Sequence, residues 1–186
     1  GVFDLEFTRR VYLESGYEKI FNSNDLNKND LYWFKLPSED SVESNNIKMA
    51  KWSYFEPWDS YRNYLIAKKY CGLKESDINN SGTFTNFAQN DQALYSLHAY
   101  MMYLKFGFGR ATQDAGIEIR RGAMDRDQAI NLVNLYDGHY PEEFIETYLD
   151  YYQMTLKEFN FVIDKWTNKD LFEKINGRWK SKFNIK

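Results

Sequence analysis

The sequence is poor in the residues that usually carry cross-links and metals. One cysteine, Cys71, stands among 186 residues. An internal disulfide and a cysteine-based zinc site within one chain are therefore excluded. The only histidines are His98 and His139, and neither an H-E-x-x-H pattern nor an EF-hand loop occurs. A metal site would have to lean on carboxylates. Mean hydropathy is -0.69, and no apolar run approaches the length of about 18 residues that a spanning helix needs. The opening stretch GVFDLEFTRRVYLESG has neither the basic region nor the apolar stretch of a signal peptide. A start at Gly1 rather than Met reads as a processed chain, shorter than its gene product. Net charge is only -3. That is not the basic globule expected of a general nucleic-acid binder, and a charged fraction of 27% is not that of an acidic disordered tail.

Aromatic residues are abundant. Phe, Tyr and Trp make up 18% of the chain, and 15 residues are tyrosine. Tyrosine joins an apolar ring to a polar tip, which suits half-buried surfaces and interfaces. A chain of this length buries roughly 70% of its unfolded surface, so it needs no disulfide scaffold.

Texture divides the chain into residues 1–50 and 51–186. The first part is mixed: an amphipathic segment from Phe7 to Phe21, the polar stretch 22–30, an extended piece LYWFKLP at 31–37, and a turn-rich loop at 38–46. Residues 47–58 read as an aromatic-rich extended connector, with room for a short hairpin in this irregular region. Beyond it the pattern is helical. Asp59 caps a helix to about Cys71, with Gly72 as its stop. Residues 72–86 hold a helical turn and a loop, and a long helix runs from Asn90 or Asp91 to about Phe106 with Leu94, Leu97, Met101 and Leu104 on one face. Another spans about Arg110 to Arg121, closed by Gly122. Asp125 with Gln128, and Thr155 with Glu158, form capping boxes, and Met124 can staple against Ala129. Pro141 opens a further helix at its first position. A short helix is expected from Asn168 to about Lys174, before a basic tail. The fold class is therefore mainly α, an array of short antiparallel helices joined by short links.

Two stretches carry candidate chemistry. GFGRAT, residues 107–112, places two glycines and Arg110 between helices, where a helix start can take an anion and Arg110 can clamp it. It equally fits a tight helical corner in which Arg110 pairs with Asp114 at i,i+4 and Arg121 lies beside the helix end. It is not a nucleotide fingerprint, since the GxGxxG spacing is absent. GTFTNFAQND, residues 82–91, offers uncharged donors and acceptors, among them Thr85 and Asn86, with Phe84 and Phe87 as an apolar wall, or simply caps and anchors the next helix. Asp114 and Glu118 share a face near Lys105, Arg110 and Arg121. His98 reads as a core or boundary residue, His139 as a solvent-facing turn residue, Cys71 as a small buried hydrophobe, and Glu142, Glu143 and Glu146 as a solvated helix face. No nucleophile–base–orienter triad and no Walker A loop is present, so the residues alone name no catalytic group.

The segments YFEPWDSYRNYLIAKKYCGL, GTFTNFAQND and MMYLKFGFGRATQDAGIEIRRGAMDRDQAINLVNLYDG resemble the N-acetyl sugar amidotransferases of surface-polysaccharide and flagellin-glycan biosynthesis, relatives of the PP-loop ATP pyrophosphatases. The resemblance covers residues 50 to about 165, and KFGFGRAT followed by EIRRG and YDG is its most specific part. It implies a cytoplasmic transferase of lipopolysaccharide-type biosynthesis. Such an enzyme converts the acetamido group of a nucleotide-linked sugar to an acetamidino group, using ATP and ammonia from a glutaminase subunit. The family's PP-loop lies in a preceding half, so the resemblance implies that this chain corresponds to the C-terminal half, that it binds no cofactor of its own, and that it is inactive alone. The same resemblance, laid over the polar segments, gives Thr85, Asn86, Lys105, Arg110, Asp114 and Arg121 as candidate substrate contacts. The competing expectation is a non-catalytic docking domain that binds the glutaminase or a second copy of itself. Neither nucleic acid nor a membrane span is expected.

Overall fold

The computed structural model describes residues 2–3, 5–13, 26–27, 29–30, 32, 38, 40–41, 49–78, 80–89 and 92–185. The extended piece at 31–37 apart from Tyr32, most of the polar stretch and loop around it, most of the segment from Phe7 to Phe21, and the helix start at Asn90 or Asp91 lie outside these residues. Two compact units are present, Gly1–Trp58 and Asp59–Lys186.

In the first unit, strands β1 (Val2–Phe3) and β2 (Met49–Ala50) pair antiparallel, with Val2 opposite Ala50. Helix α1 (Leu5–Thr8) widens into a π-helical segment, Arg9–Leu13. The stretch expected to be an extended connector instead turns: Trp52–Tyr54 form a 3₁₀ turn, and the Trp52 indole N–H donates to Glu56 at 3.1 Å. Short i,i+4 contacts of this kind favour a turn over extended chain.

The second unit is helical: α2 (Ser60–Cys71), α3 (Ala93–Phe106), α4 (Arg110–Arg120), α5 (Arg126–Tyr136), α6 (Ile145–Tyr152) and α7 (Leu156–Trp166). With α1, the described residues are mainly helical, as the sequence pattern requires. The local start signals act as expected. Asp59 accepts from the Arg62 N–H, and both capping boxes, Asp125 with Gln128 and Thr155 with Glu158, are complete. Met124 packs on Ala115, Ala129 and Val133. Gly72 closes α2 at φ +69°, in the left-handed region that favours glycine.

The leucine face of α3 packs on the core as expected, and Tyr100 joins it. Tyr100 and Leu104 are buried with Tyr148, Phe159, Ile163 and Phe172, while Leu94, Leu97 and Met101 are partly buried against that cluster. The Tyr148 hydroxyl, inside the core, donates to the Ala93 carbonyl at 2.6 Å, so its polar tip is satisfied where burial would otherwise penalise it.

Several expectations are corrected. The segment after Asn168 forms a β-hairpin, β3 (Phe172–Ile175) with β4 (Arg178–Ser181), not a helix. Asn176 and Gly177 form its two-residue loop with φ of +49° and +80°, the primed turn that Asn-Gly favours because it matches strand twist. Residues 72–78 and 80–89 make no helical turn. They form a folded loop, with Ser76 N–H on the Asn86 carbonyl at 2.8 Å and Asn80 N–H on the Thr85 carbonyl at 2.8 Å. Pro141 precedes a 3₁₀ turn, Glu142–Phe144, and α6 starts only at Ile145. Cys71 is exposed rather than buried, because the apolar stripe of α2 is left largely uncovered, and His98 is exposed on α3. His139 is exposed, as are Glu142, Glu143 and Glu146.

Candidate functional site

The glycine-rich corner at 107–112 is built around an anion that the chain supplies itself. The Asp137 carboxylate, just past the end of α5, accepts the backbone N–H of Gly109 at 2.8 Å and of Ala111 at 2.8 Å, and the Thr112 hydroxyl at 2.5 Å. The first turn of α4 has unpaired N–H groups and the positive end of the helix dipole, so a carboxylate there is doubly favoured. Burial pushes the Asp137 carboxyl above the ordinary carboxylate range, and the hydrogen bonds from Thr112 and the backbone pull it partly back. Glycine at 109 is required by contact: a Cβ there would stand 2.5 Å from Asp137 Oδ1. Gly138 is required twice over. Its φ is +77°, and a Cβ would run into the Tyr103 ring.

A second polar knot lies on the same helix. Asp114 is buried, and it accepts the Thr83 hydroxyl at 2.6 Å and the Thr85 hydroxyl at 3.5 Å. The Nε of Arg110 stands 2.8 Å from Asp114 Oδ1, a charge pairing without hydrogen-bond alignment. The Arg110 guanidinium also lies over the Tyr95 ring, 5.7 Å from its centroid, a cation–π distance. Burial works against the Arg110 charge, but Asp114 and Tyr95 outweigh it and hold its pKa above the ordinary value. The Gly82 carbonyl accepts the Ala111 N–H at 3.1 Å. The segments at 82–85, 107–114 and 136–138 therefore meet at the start of α4.

Thr85, Arg110 and Asp114 are thus brought together, and the other three candidate residues have different neighbours. The Asn86 amide donates to the Ser76 carbonyl at 3.0 Å. Lys105 lies between the Phe106 and Trp166 rings, at 5.2 and 5.5 Å from their centroids. Arg121, at the far end of α4, pairs with Glu118 at 2.5 Å and sits over Tyr61. Among the described residues, no group of three or more His, Cys, Asp or Glu is placed to hold a metal, and no helix is long and apolar enough to cross a membrane. The helix start that a phosphate would use is filled by Asp137.

Behind this knot opens a cleft of about 310 Å³, which the sequence pattern did not single out. Its walls are the folded loop, the start of α3 and the 3₁₀ turn at 142–144, and they include Ser81, Gln89, Gln92, Tyr95, Glu143 and Phe144. Tyr95 is shared: one side meets Arg110, and the residue lines the cleft. A larger cleft of about 600 Å³ lies beside the hairpin, where Asp164 binds Lys174 at 2.7 Å and accepts the Trp179 indole N–H at 3.0 Å. None of the six candidate residues lines either cleft.

The chain matches no curated protein. Residues 81–185, the stretch that folds into the α4 knot, the helical core and the terminal hairpin, match the model described as LPS biosynthesis protein WbpG-like, C-terminal domain. That match spans more than half of the chain, and the chain belongs to this lipopolysaccharide-biosynthesis family.

Proposed function

We propose that this chain is the substrate-side helical domain of an ATP- and ammonia-dependent amidotransferase, which converts the acetamido group of a nucleotide-linked sugar to an acetamidino group. The observation that carries the reading is the convergence of residues 82–85, 107–114 and 136–138, drawn from two of the family-like segments, at the start of α4, where Tyr95 joins them to a polar cleft. Arg110 is the anchor. Its side chain retains 24% exposure while Asp114 and Tyr95 fix its direction, so its charge is oriented before a phosphate or sugar carboxylate arrives. Arg121 adds positive charge at the far end of the same helix and Lys105 at the end of α3, and Thr85 and Asn86 hold the loop that frames the cleft. ATP is assigned to another part of the full-length, cytoplasmic enzyme, and ammonia to a glutaminase subunit.

The test is amidine formation by the intact enzyme. Arg110→Ala is expected to lower kcat/KM roughly tenfold to hundredfold, the worth of a charge-assisted hydrogen bond. Arg110→Lys, which keeps the charge but loses the planar fork, should fall between. A folded Arg110→Ala enzyme with unchanged kinetics sinks the assignment.

A second reading, a docking domain for the glutaminase or for another copy of the chain, is favoured by one observation. Leu65, Ile66 and Tyr70 on α2 are 46%, 51% and 72% exposed, and Phe161 and Trp166 on α7 are 67% and 52% exposed. Apolar residues clustered on exposed helix faces mark interaction surfaces. Light scattering of the chain with and without the glutaminase separates the readings, since a strict monomer that associates with neither removes the second.

A further inference from the structure

Helices α3 and α7 leave an open seam between them. It holds a groove of about 470 Å³, lined by Leu94, Leu97 and Met101 from α3 and by Phe159 and Val162 from α7. His98 and Tyr152 bring the polar tips of the lining, which among the described residues contains no Asp, Glu, Lys or Arg. The volume lies within the range of ligand pockets. Water has little to bond to here, since a site needs several polar partners to hold it.

The two helix stripes run on past the groove and change character. Lys105 stands one turn after Met101 on α3, and Trp166 one turn after Val162 on α7. The Lys105 ammonium is 5.5 Å from the Trp166 ring centroid, and the Lys165 ammonium is 5.7 Å from the same ring. All three residues are exposed. Among the described residues, neither lysine is paired with a carboxylate. The seam is therefore apolar along its length and cationic at one end.

A ligand that matches both parts has an apolar body and an anionic head. Size narrows the class. A helix from a partner protein is about 10 Å across with its side chains, so a single turn would fill the groove. One extended hydrocarbon chain instead lies lengthwise from Leu94 towards Lys105, about 16 Å of helix.

We propose that the seam between α3 and α7 binds a single-chain anionic amphiphile of the lipid class. Its chain occupies the groove, and its phosphate or carboxylate head sits between Lys105 and Lys165. This site shares no residue with the α4 knot and stands whether or not the chain serves an amidotransferase.

The test is isothermal titration calorimetry of the full chain with dodecyl phosphate below its micelle concentration. Inorganic phosphate, dodecyl maltoside and decyl phosphate are titrated beside it. Dodecyl phosphate should bind one to one. Decyl phosphate, shorter by two methylenes, should bind roughly tenfold more weakly. Inorganic phosphate should not bind measurably. Replacing both exposed lysines, Lys105→Gln with Lys165→Gln, should weaken dodecyl phosphate roughly tenfold and leave dodecyl maltoside unchanged. In methionine-methyl NMR, Met101 and Met154, which line the groove, should shift, and Met124, in the smaller core cluster, should not. Failure of dodecyl phosphate to bind overturns the proposal, and a dimer in light scattering would then make a second copy of the chain the occupant. Inorganic phosphate or dodecyl maltoside binding as tightly as dodecyl phosphate also overturns it, as does binding that the lysine variant leaves intact or that shifts Met124 but not Met101 and Met154.

Discussion

Asp137→Ala is expected to cost the helical unit about 3 kcal/mol, and to lower its melting temperature by about 10 °C. The carboxylate satisfies two backbone N–H groups at 2.8 Å and the Thr112 hydroxyl at 2.5 Å. Alanine removes all three acceptor contacts: the Gly109 N–H and the Thr112 hydroxyl lose the carboxylate, and the Ala111 N–H keeps only the Gly82 carbonyl at 3.1 Å. An ordinary helix cap is worth about 1 kcal/mol when deleted. Asp137 does more, because it ties the start of α4 to the end of α5 across 26–28 residues of sequence. Asp137→Asn keeps the shape and one acceptor oxygen, so its loss should be intermediate. Urea titrations of the three proteins measure the series. A loss below about 1 kcal/mol for Asp137→Ala would mean that water replaces the carboxylate at the corner, and would reopen that helix start to an external anion.

Asp137 also illustrates what the sequence could and could not disclose. The dipeptide Asp137-Gly138 ends α5, and such a stop is a local signal. Its carboxylate partner is far away in sequence, and no periodicity points to it. The caps at Asp59, Asp125 and Thr155 were legible for the same reason that Asp137's role was not: each acts on an N–H three residues away. The pairing of Arg110 with Asp114 was also legible as an i,i+4 contact, whereas the bond from Thr83 to Asp114 spans 31 residues. The cleft joins residues near 80, near 95 and near 143, so it exists only once the loop has folded onto α3. Exposure was misjudged at Cys71 because an apolar stripe announces a face that prefers burial, not what covers it.

The hairpin is a different kind of miss. Asn176-Gly177 is the strongest short hairpin signal there is, but the lysines and arginines around it made the segment read as a solvated tail. In the fold, Phe172 gives that segment a reason to stay. It is 1% exposed, packs edge-on to Tyr103 at 5.0 Å and to Phe183 at 5.8 Å, and stands opposite Ser181 in the strand pair. A two-stranded hairpin is at best marginal in isolation, so its stability must come from packing on the core, where Phe172 is the buried ring and Trp179 and Phe183 are partly buried beside it. Phe172→Ala should therefore cost about 3–5 kcal/mol, the range for a buried aromatic that leaves a cavity. Phe172→Leu, which keeps most of the volume, should cost less than about 1.5 kcal/mol. Hydrogen exchange gives the sharper reading. In Phe172→Ala, the amides of β3 and β4 should lose protection before those of α3 and α7, because the turn alone cannot hold the strands together. If the hairpin amides stay as protected as the helices, the Asn-Gly turn and the ion pairs of Lys174 and Arg178 hold the strands without the core, and the anchoring role assigned to Phe172 is wrong.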